Sequence, residues 1–328
     1  MSLSIIIPTY SPKITILERT LDALKAQTLP FDQWELLLID NASPSPLSSD
    51  LISWHPRGRV IREEKLGLTH ARLRAIKEAV GELLVWCDDD NLLLPDYLVN
   101  AIESFRKYPR LGIAGGKSIP EYLETPEDWY RPDLAPLGCR DHGDEEEIMS
   151  WMEVEERTYP VHAPIGAGMV TRKSAIQLWA DLVTGDGRRT SLGRTGSALT
   201  SGEDNDINLV ALGAGWDLGY LPKLSLTHII PPGRLTLNYQ KRIARASFRD
   251  FVKVLDIHGI RPWSAIPRWS VPLRSAKAWF TNQAWRGPVE QIRWQGAIGQ
   301  FEGRAMLCRE SRDDRREHIE KGSLKNHE

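Results

Sequence analysis

The sequence predicts an α/β fold with a Rossmann-like, doubly wound and mostly parallel sheet, followed by a helical C-terminal extension. Two observations predict it. Short apolar runs alternate with segments of helical periodicity over residues 1–115, and polar residues follow the ends of these runs. Such alternation favours a parallel sheet, whose ligands bind beyond the carboxyl ends of the strands.

The predicted strands share a length of about four to six residues and an almost continuous apolar character. They are Ser4–Ile7, Trp34–Ile39, Leu83–Trp86 and Leu111–Ala114, with Arg59–Arg62 as a weaker candidate. Between them, apolar residues recur at three and four residues, which is typical of amphipathic helices. These predicted helices are Ile14–Leu24, Thr69–Val80 and Pro95–Phe105.

The rest of the chain is less regular. Residues 117–160 show no clear period, and we expect the acidic run Glu145–Glu147 to lie in a solvated loop. Residues 184–203 are rich in Gly, Ser and Thr and predict a linker. A helix is predicted over Leu237–Leu255, and a second, amphipathic one over Ser270–Arg286.

Composition and charge limit the classes of protein. The chain has 328 residues, of which 41% are hydrophobic and 26% charged, enough to bury a sizeable core. A net charge of -2 argues against a dedicated nucleic-acid binder. Residues 231–328 hold 19 Lys and Arg against 10 Asp and Glu, however. A basic tail on an acidic body is expected to meet an anionic partner, such as lipid headgroups, phosphate or the body itself.

Cysteine usage and the absence of hydrophobic segments predict the location. Cys87, Cys139 and Cys308 are far apart, which disfavours a disulfide framework or a zinc site and favours the cytoplasm. The first residues lack the basic region of a signal peptide, and no stretch approaches 18 apolar residues. We therefore expect a cytoplasmic protein, with peripheral contact to the cytoplasmic face of a membrane as an open alternative.

The run from Trp86 to Asn91 is the most informative segment, because three consecutive acids follow an apolar strand. Such carboxylates repel one another unless a cation or a hydrogen-bond donor neutralises them. Mg²⁺ and Mn²⁺ take oxygen ligands and commonly bridge substrate phosphates. The alternative is a helix cap, since Pro95 follows, but a cap needs only one carboxylate. The run therefore predicts a divalent metal site.

Six motifs occur in the order SIIIPTY, LLLIDNAS, KLGLTHAR, LLVWCDDDN, HAPIGAGM and SGEDNDINL. This series resembles family 2 glycosyltransferases of the GT-A fold over roughly residues 3–240. A lone DxD motif is common by chance, whereas six motifs in the family's order are not. The resemblance implies inverting transfer of a sugar from a nucleoside-diphosphate sugar to a hydroxyl of a carbohydrate or lipid-linked acceptor. It also implies a role in polysaccharide, glycolipid or glycoconjugate synthesis.

The resemblance also divides the chain. Residues 1–240 would form the catalytic domain, with a nucleotide-binding half over 1–115 and an acceptor-binding half over 116–240. Residues 241–328 would form a basic, Trp-rich helical extension. Its Ser270–Arg286 helix suits either a membrane interface or packing on the catalytic domain.

The nucleotide-sugar site is carried over residue by residue. The residues implied are Pro8, Thr9, Tyr10, Asp40, Lys65, Gly67, Arg72, Asp88, Asp89 and Arg234. Lys and Arg side chains suit a diphosphate, although Arg72 and Arg234 could also be ordinary surface residues. Asn41-Ala42 follows Asp40 where the family usually has glycine, which leaves the role of a loop glycine there open.

The metal and catalytic residues follow from the same resemblance. Asp90 is implied as a direct metal ligand, Asp88 as a ligand of the ribose or of the metal site, and His228 as a further ligand. The alternative for His228 is a buried, hydrogen-bonded structural role. Of the adjacent acids Glu203 and Asp204, the resemblance implies that one is the general base, and we favour Asp204.

A small-residue loop is implied to lie beside the donor sugar and the acceptor. It comprises Gly166, Ala167, Gly168 and Met169. Glycine lets a backbone approach a sugar closely, although it also simply makes turns.

Other classes fit less well. A sugar-1-phosphate nucleotidyltransferase opens with a glycine-rich loop after the first strand, but this chain has no glycine before Gly58. A non-catalytic nucleotide-sugar-binding module would not need acids at both the DxD and the Glu-Asp positions. A nicotinamide dehydrogenase is disfavoured because no GxGxxG follows the first strand.

Overall fold

The computed structural model of the chain describes residues 1–152, 154–196 and 199–324, with side chains through residue 307. Its backbone contacts define two units. The first comprises residues 1–126 and 137–234, and the second comprises residues 127–136 and the chain from Leu235 onward. The functional division at residue 240 stays a prediction.

An eight-stranded mixed sheet forms the centre of the first unit. Its strands are β1 Leu3–Thr9, β2 Trp34–Asn41, β3 Gly58–Glu63, β4 Leu83–Trp86, β6 Leu111–Gly115, β8 Glu147–Met149, β9 Val170–Arg172 and β10 Asp217–Tyr220. They lie in the order β3-β2-β1-β4-β9-β6-β10-β8. Neighbouring strands are parallel, except that β9 runs antiparallel to β4 and β6, and β8 runs antiparallel to β10.

A second, three-stranded sheet lies in the same unit. It consists of β5 Asn91–Leu93, β7 Ser118–Tyr122 and β11 Leu226–Ile230, in the order β5-β11-β7. β11 pairs antiparallel with β5, and this register sets His228 opposite Asn91. A residue far along the chain is thereby fixed beside the acidic run that follows β4.

The helices complete both units. In the first unit they are α1 Ile14–Lys25, α2 Leu68–Glu78, α3 Tyr97–Lys107, α4 Lys173–Val183, α5 Gly187–Thr190 and α6 Glu203–Gly213. The first unit ends at Arg234 within the short α7 Pro232–Leu235, and α8 Leu237–Ile257, α9 Val271–Thr281 and α10 Pro288–Leu324 belong to the second. Within the described chain, no helix combines the length and apolar character needed to cross a membrane.

Apolar periodicity explains the core of the first unit. Every residue of β1, β2 and β4 is buried, as expected for central parallel strands covered on both faces. In α1 the buried leucines are Leu17, Leu21 and Leu24, whose spacing of three and four residues places them on one face. Each buried leucine contributes about 1.5–3 kcal/mol relative to an exposed one.

The strands and helices predicted in the first 115 residues are confirmed, as is the mostly parallel sheet with a helical C-terminal part. The short strand β5, which follows the acidic run, was not predicted. Residues 117–160, in which the sequence shows no clear period, contain the strands β7 and β8. Glu147, expected in a solvated loop, begins β8. The predicted Ser270–Arg286 helix is α9, which ends at Thr281.

The strand ends meet at one edge of the sheet. Thr9 at the end of β1 pairs with Asp40 in β2, and Ile6 pairs with Trp86 at the end of β4. The polar residues that follow these strands therefore emerge side by side.

The loop after β2 contains a residue in the left-handed region. Ala42 has φ of 59°. The turn it makes lets the carboxylate of Asp40 accept hydrogen bonds from the backbone N–H groups of Ser43 at 3.1 Å and Leu47 at 3.2 Å. A residue with a Cβ pays about 1–2 kcal/mol for this conformation, which glycine adopts freely.

We therefore expect Ala42→Gly to stabilise the protein. Glycine removes the strain of the left-handed conformation in the folded state, and it also raises the conformational entropy of the unfolded chain. The first effect is the larger one, so the free energy of unfolding should rise by about 0.5 kcal/mol. Urea unfolding followed by circular dichroism measures it. As a control, Ala23→Gly inside α1 should lower the free energy of unfolding by about 1 kcal/mol. A loss of stability in Ala42→Gly would show that the turn is not strained.

Candidate active site

Three acids lie at the end of β4, and neighbouring elements hold each of them. The Thr9 hydroxyl donates to the carboxylate of Asp89, and the Thr20 hydroxyl donates to its carbonyl oxygen at 3.0 Å. Asn91 donates from its side chain to Oδ1 of Asp90 at 3.1 Å. The opening motif of the chain therefore contacts the DxD motif, as its position after β1 predicts.

The pKa values of the three acids shift in different directions because their surroundings differ. Burial and the charge of Asp90 raise the pKa of Asp88. The same two causes raise the pKa of Asp89 to about 7, against the hydrogen bond from Thr9. Burial acts to raise the pKa of Asp90 as well. The hydrogen bond and charge of His228, with the charges of Arg234 and Arg194, outweigh burial and lower this pKa. Asp90 is thus the acid that the surrounding cations keep ionised.

Asp90 faces an imidazole and a guanidinium. Its Oδ1 lies 3.3 Å from Nε2 of His228, and its Oδ2 lies 3.0 Å from NH2 of Arg234. NH1 of Arg234 is 3.2 Å from the same His228 nitrogen. Burial lowers the pKa of His228, but the hydrogen bonds to Asp90 and Cys139 raise it to about 10. The three side chains form one compact charged cluster, which we call the Asp90 cluster.

The donor atoms of Asp90 and His228 fit a divalent metal. Two adjacent ligands on an ion with bonds of about 2.1 Å stand about 3 Å apart, close to the 3.3 Å between Oδ1 and Nε2. The other ring nitrogen of His228 is 3.3 Å from the carbonyl oxygen of Gly138, an orientation typical of metal-binding histidines. No group of three or more His, Cys, Asp or Glu suited to a metal occurs among the described residues, so Asp90 and His228 form a partial ligand set within this part of the chain.

A buried ion pair joins α2 to α6. NH1 of Arg72 lies 2.7 Å from Oε1 of Glu203, and both side chains are about 5% exposed or less. Thr69, one turn before Arg72, donates its hydroxyl to the other oxygen of Glu203. The guanidinium also lies 5.6 Å from the ring centre of Trp86. Arg72 is therefore no surface arginine, and Glu203 is held on both oxygens.

Asp204, the next residue, has a different environment. It is partly exposed, and its Oδ2 accepts from the backbone N–H of Gly166 at 3.1 Å. Burial acts to lower the pKa of Arg72, but the negative charges of Glu203, Asp88 and Asp204 raise it overall. Arg72 thus lies within electrostatic range of the DxD motif and of both candidate bases.

Contacts to α6, α3 and β4 hold the small-residue loop, whose predicted position beside the sugar stays a prediction. Gly166 lies beside Asp204, and Gly168, with φ of +67°, accepts a hydrogen bond from Tyr97 through its carbonyl. Met169 is buried, and its carbonyl oxygen accepts from the N–H of Trp86 at 2.8 Å. Ala167 is half-buried. The loop is thereby anchored to β4 next to the acids.

The residues predicted to bind the nucleotide differ in burial and in the elements that carry them. Asp40 is buried and lies 2.7 Å from NH1 of Arg62. Burial raises the pKa of Asp40, but hydrogen bonds from Ser43, Arg62 and Leu47 lower it overall. Pro8 is buried in β1, whereas the side chain of Tyr10 is 45% exposed just beyond it.

Asn41 holds the loop that contains the exposed Lys65 and the buried Gly67. The Asn41 side chain donates to the carbonyl of Lys65 and accepts from the N–H of Gly67, both at 2.8 Å. Gly67 has φ of +134° and precedes α2. Sequence reasoning assigned no role to Asn41, although its position directly after Asp40 at a strand end was a signal.

Sequence reasoning also missed Arg140. This guanidinium donates to the carbonyl oxygens of Gly116 at 3.1 Å and Ala163 at 2.5 Å, and it stacks 5.4 Å from the ring centre of Tyr220. Burial lowers its pKa, against the charges of nearby tyrosines and Asp204. Its residue type, in a segment without periodicity, gave no signal that it joins the residue after β6 to the segment before the small-residue loop.

Solved structures with this architecture define the class of the fold. The chain superposes on the S. aureus TarS fragment 1–349 with a TM-score of 0.51 at 14% identity, covering 95% of this chain and 92% of that one. It superposes on the mannosyltransferase PcManGT from Pyrobaculum calidifontis, in complex with GDP-Man and Mn²⁺, with a TM-score of 0.54 at 17% identity. That match covers 93% of this chain and 86% of the mannosyltransferase. The fold is the GT-A fold of glycosyltransferases, which confirms the predicted fold class.

The sequence pattern of Glycosyl transferase family 2 matches residues 4–178, more than half of the chain. The chain belongs to this family.

Two relatives illustrate its breadth. The succinoglycan biosynthesis protein ExoW of Rhizobium meliloti is 32% identical over 112 residues, which cover 32% of this chain and 34% of ExoW. An N-acetylglucosaminyltransferase of Neorhizobium galegae is 24% identical over 271 residues, covering 78% of this chain and 57% of that protein. The chain thus spans less than two thirds of either relative.

The buried ion pair between Arg72 and Glu203 predicts a large loss of stability when either side chain is replaced. Arg72→Met or Glu203→Gln alone leaves a buried group without its partner, and each should lower the free energy of unfolding by about 3–5 kcal/mol. The double variant Arg72→Met/Glu203→Gln should lose much less than the sum of the two. Chemical unfolding of all four proteins measures the coupling, and additive losses would contradict an energetic link between these residues.

Proposed function

We propose that this chain is the catalytic part of an inverting, metal-assisted glycosyltransferase. It would transfer a sugar from a nucleoside-diphosphate sugar to an acceptor hydroxyl. One observation carries the proposal: Arg72 and Thr69 hold Glu203, while the adjacent Asp204 stays partly exposed beside the small-residue loop. Of these two adjacent acids, Asp204 is the one that we assign to take a proton from a bound substrate.

The reaction would be a single displacement. Asp204 accepts the proton of the acceptor hydroxyl as the acceptor oxygen bonds to the anomeric carbon of the donor sugar. The bond from this carbon to the diphosphate oxygen breaks, and its electron pair leaves with the diphosphate. Attack on the face opposite the leaving group inverts the configuration. Gly166 orients the base, because its N–H binds the oxygen Oδ2.

Asp90 and His228 would hold a Mn²⁺ or Mg²⁺ ion, with phosphate oxygens and water completing its coordination. The bound ion would neutralise charge on the departing diphosphate. Arg234 contacts the same carboxylate and is the arginine we assign to the diphosphate. Arg72, whose charge is paired with Glu203, would instead fix the position of α6 beneath the site.

The nucleoside would lie over the ends of β1 and β2. Tyr10 exposes an aromatic ring there, and the loop holding Lys65 and Gly67 borders the same edge through Asn41. Asp40 is engaged by Arg62, so its contribution to ribose or base recognition would include keeping this loop in place. Asp88 and Asp89 would face the ribose and the metal-bound water.

The relatives support a role in polysaccharide synthesis. One is a succinoglycan biosynthesis protein, and another is an N-acetylglucosaminyltransferase. TarS has also been solved in complex with UDP-GlcNAc, and that structure superposes with a TM-score of 0.52. We therefore propose a carbohydrate or lipid-linked acceptor and a UDP-sugar as the first donor to test. The cytoplasmic location stays a prediction.

The donor site predicts metal-dependent nucleotide binding. Calorimetry with UDP, GDP and dTDP, each with Mn²⁺ and again with EDTA, should find one nucleotide that binds only with the metal. Asp90→Ala should abolish this binding, because the carboxylate anchors the Asp90 cluster. Glu18→Ala, which removes an exposed acid of α1, is the control and should bind normally. Equal metal-dependent binding by Asp90→Ala would remove Asp90 as a ligand.

The base assignment predicts separate effects on binding and turnover. Asp204→Asn keeps an oxygen that can accept from Gly166, so the nucleotide affinity should stay unchanged. It cannot take a proton, so kcat should fall by about 10²–10⁴-fold. Transfer is measured with the nucleotide-sugar chosen by calorimetry, counting released nucleoside diphosphate. A variant that turns over at the normal rate would refute the assignment.

A further inference from the structure

The second unit exposes large apolar side chains along α9 and its two flanking segments. Trp269 is 73% exposed, Leu273 66%, Phe280 68% and Trp285 56%. Leu273 and Phe280 are seven residues apart on α9, so they lie on the same side of the helix, two turns from each other. Trp285 extends this apolar side, with its ring centre 6.0 Å from that of Phe280.

The opposite side of α9 is packed within the unit. Trp279 makes an edge-to-face contact with Trp294 of α10 at 4.7 Å between ring centres. The indole N–H of Trp294 donates to the carbonyl oxygen of Ser275 at 2.9 Å. Ala278 is the buried residue of the helix. The orientation of α9 is therefore fixed by α10, and the exposed side chains are those that this packing leaves outward.

Around α9 the charged residues are almost all of one sign. The 33 residues from Ile257 to Val289 contain five Lys and Arg and no Asp or Glu. Arg261 is paired with Asp256 of α8. The other four are exposed and flank the apolar side chains: Arg268, Arg274, Lys277 and Arg286. Burial lowers the pKa of Arg304 of α10, and the nearby positive charge of Arg274 lowers it further. Positive charge thus accumulates around the apolar side.

We propose that this surface binds the anionic headgroups of a lipid bilayer. We call it the aromatic-basic face, comprising Arg268, Trp269, Leu273, Arg274, Lys277, Phe280, Trp285 and Arg286. Indole and phenyl rings bury favourably at the level of the headgroups, and each nearby Lys or Arg strengthens binding to anionic lipid about fivefold. An amphipathic helix with these features lies in the plane of the membrane surface.

An anionic bilayer explains the face better than a protein partner. Uniform positive charge around exposed aromatic rings matches a surface of continuous negative charge, and four long basic side chains reach the headgroups while the rings insert between them. A second copy of the chain would present the same positive charge to itself. The proposal does not depend on the catalytic assignment, since none of these residues belongs to the candidate active site.

Vesicle flotation tests the proposal with the full chain. Wild-type protein should float with vesicles of phosphatidylcholine and phosphatidylglycerol, and weakly with phosphatidylcholine alone, and salt should release it. Arg274→Gln/Lys277→Gln should weaken partition into the anionic vesicles roughly thirtyfold. Trp269→Ser/Phe280→Ser should weaken it at least tenfold. Val161→Ser, which removes an apolar residue that is 87% exposed in the first unit, is the control and should partition like wild type.

Circular dichroism and nucleotide binding verify that the variants are folded, as expected for exposed positions. Wild-type protein that does not float with anionic vesicles overturns the proposal. So does flotation that the basic and aromatic variants leave unchanged. A wild-type dimer that Trp269→Ser/Phe280→Ser dissociates, without any vesicle binding, would assign the face to a second copy and also overturn it.

Discussion

The repulsion among three consecutive carboxylates at the end of β4 is the constraint on which the candidate active site depends. Burial and mutual repulsion raise the pKa of Asp88 and Asp89, so neighbouring elements must supply donors and cations. β1 supplies Thr9, the smaller sheet supplies His228, and the turn after it supplies Arg234. The sheet order β2-β1-β4 and the pairing of β11 with β5 place these groups around the acids.

The buried Arg72–Glu203 pair solves a second electrostatic problem. The general base that we propose, Asp204, would need to be ionised and reachable, yet the start of α6 carries Glu203, Asp204 and Asp206 together. Pairing Glu203 with a buried guanidinium removes one negative charge from the neighbourhood of Asp204. Asp206 is likewise engaged, by the indole of Trp179 at 3.0 Å and by Arg189. Asp204 is left as the partly exposed acid of the three.

Much of the fold could be predicted from the sequence because the central strands are buried on both faces and read as apolar runs. Several strands missed by this reasoning are short or partly exposed, as in β7, whose residues after Ser118 are exposed or half-buried. Their pairing is decided by tertiary contacts rather than by local pattern. The antiparallel insertion of β9 between β4 and β6 is likewise a long-range choice without a local signal.

The candidate site was predictable to a different extent. Motif positions located the acids, His228 and the small-residue loop, because strand ends converge at one edge. Which charge pairs with which could not be predicted. Arg72 was expected at the diphosphate or on the surface, and it lies buried against Glu203 instead. The role of Asn41 was hidden as well, since an amide bridging two backbone groups of a distant loop leaves no periodicity.

These pairings bear on how a metal ion and a nucleotide would bind. With the charge of Arg72 engaged by Glu203, Asp90 faces two cationic partners, His228 on one oxygen and Arg234 on the other. A divalent ion held by Oδ1 would have to displace the proton between Asp90 and His228, and it would add positive charge beside Arg234. A bound diphosphate would offset that charge and would supply oxygen ligands in addition to Asp90 and His228. Metal and nucleotide affinities should therefore be coupled, each strengthening the other by the same factor.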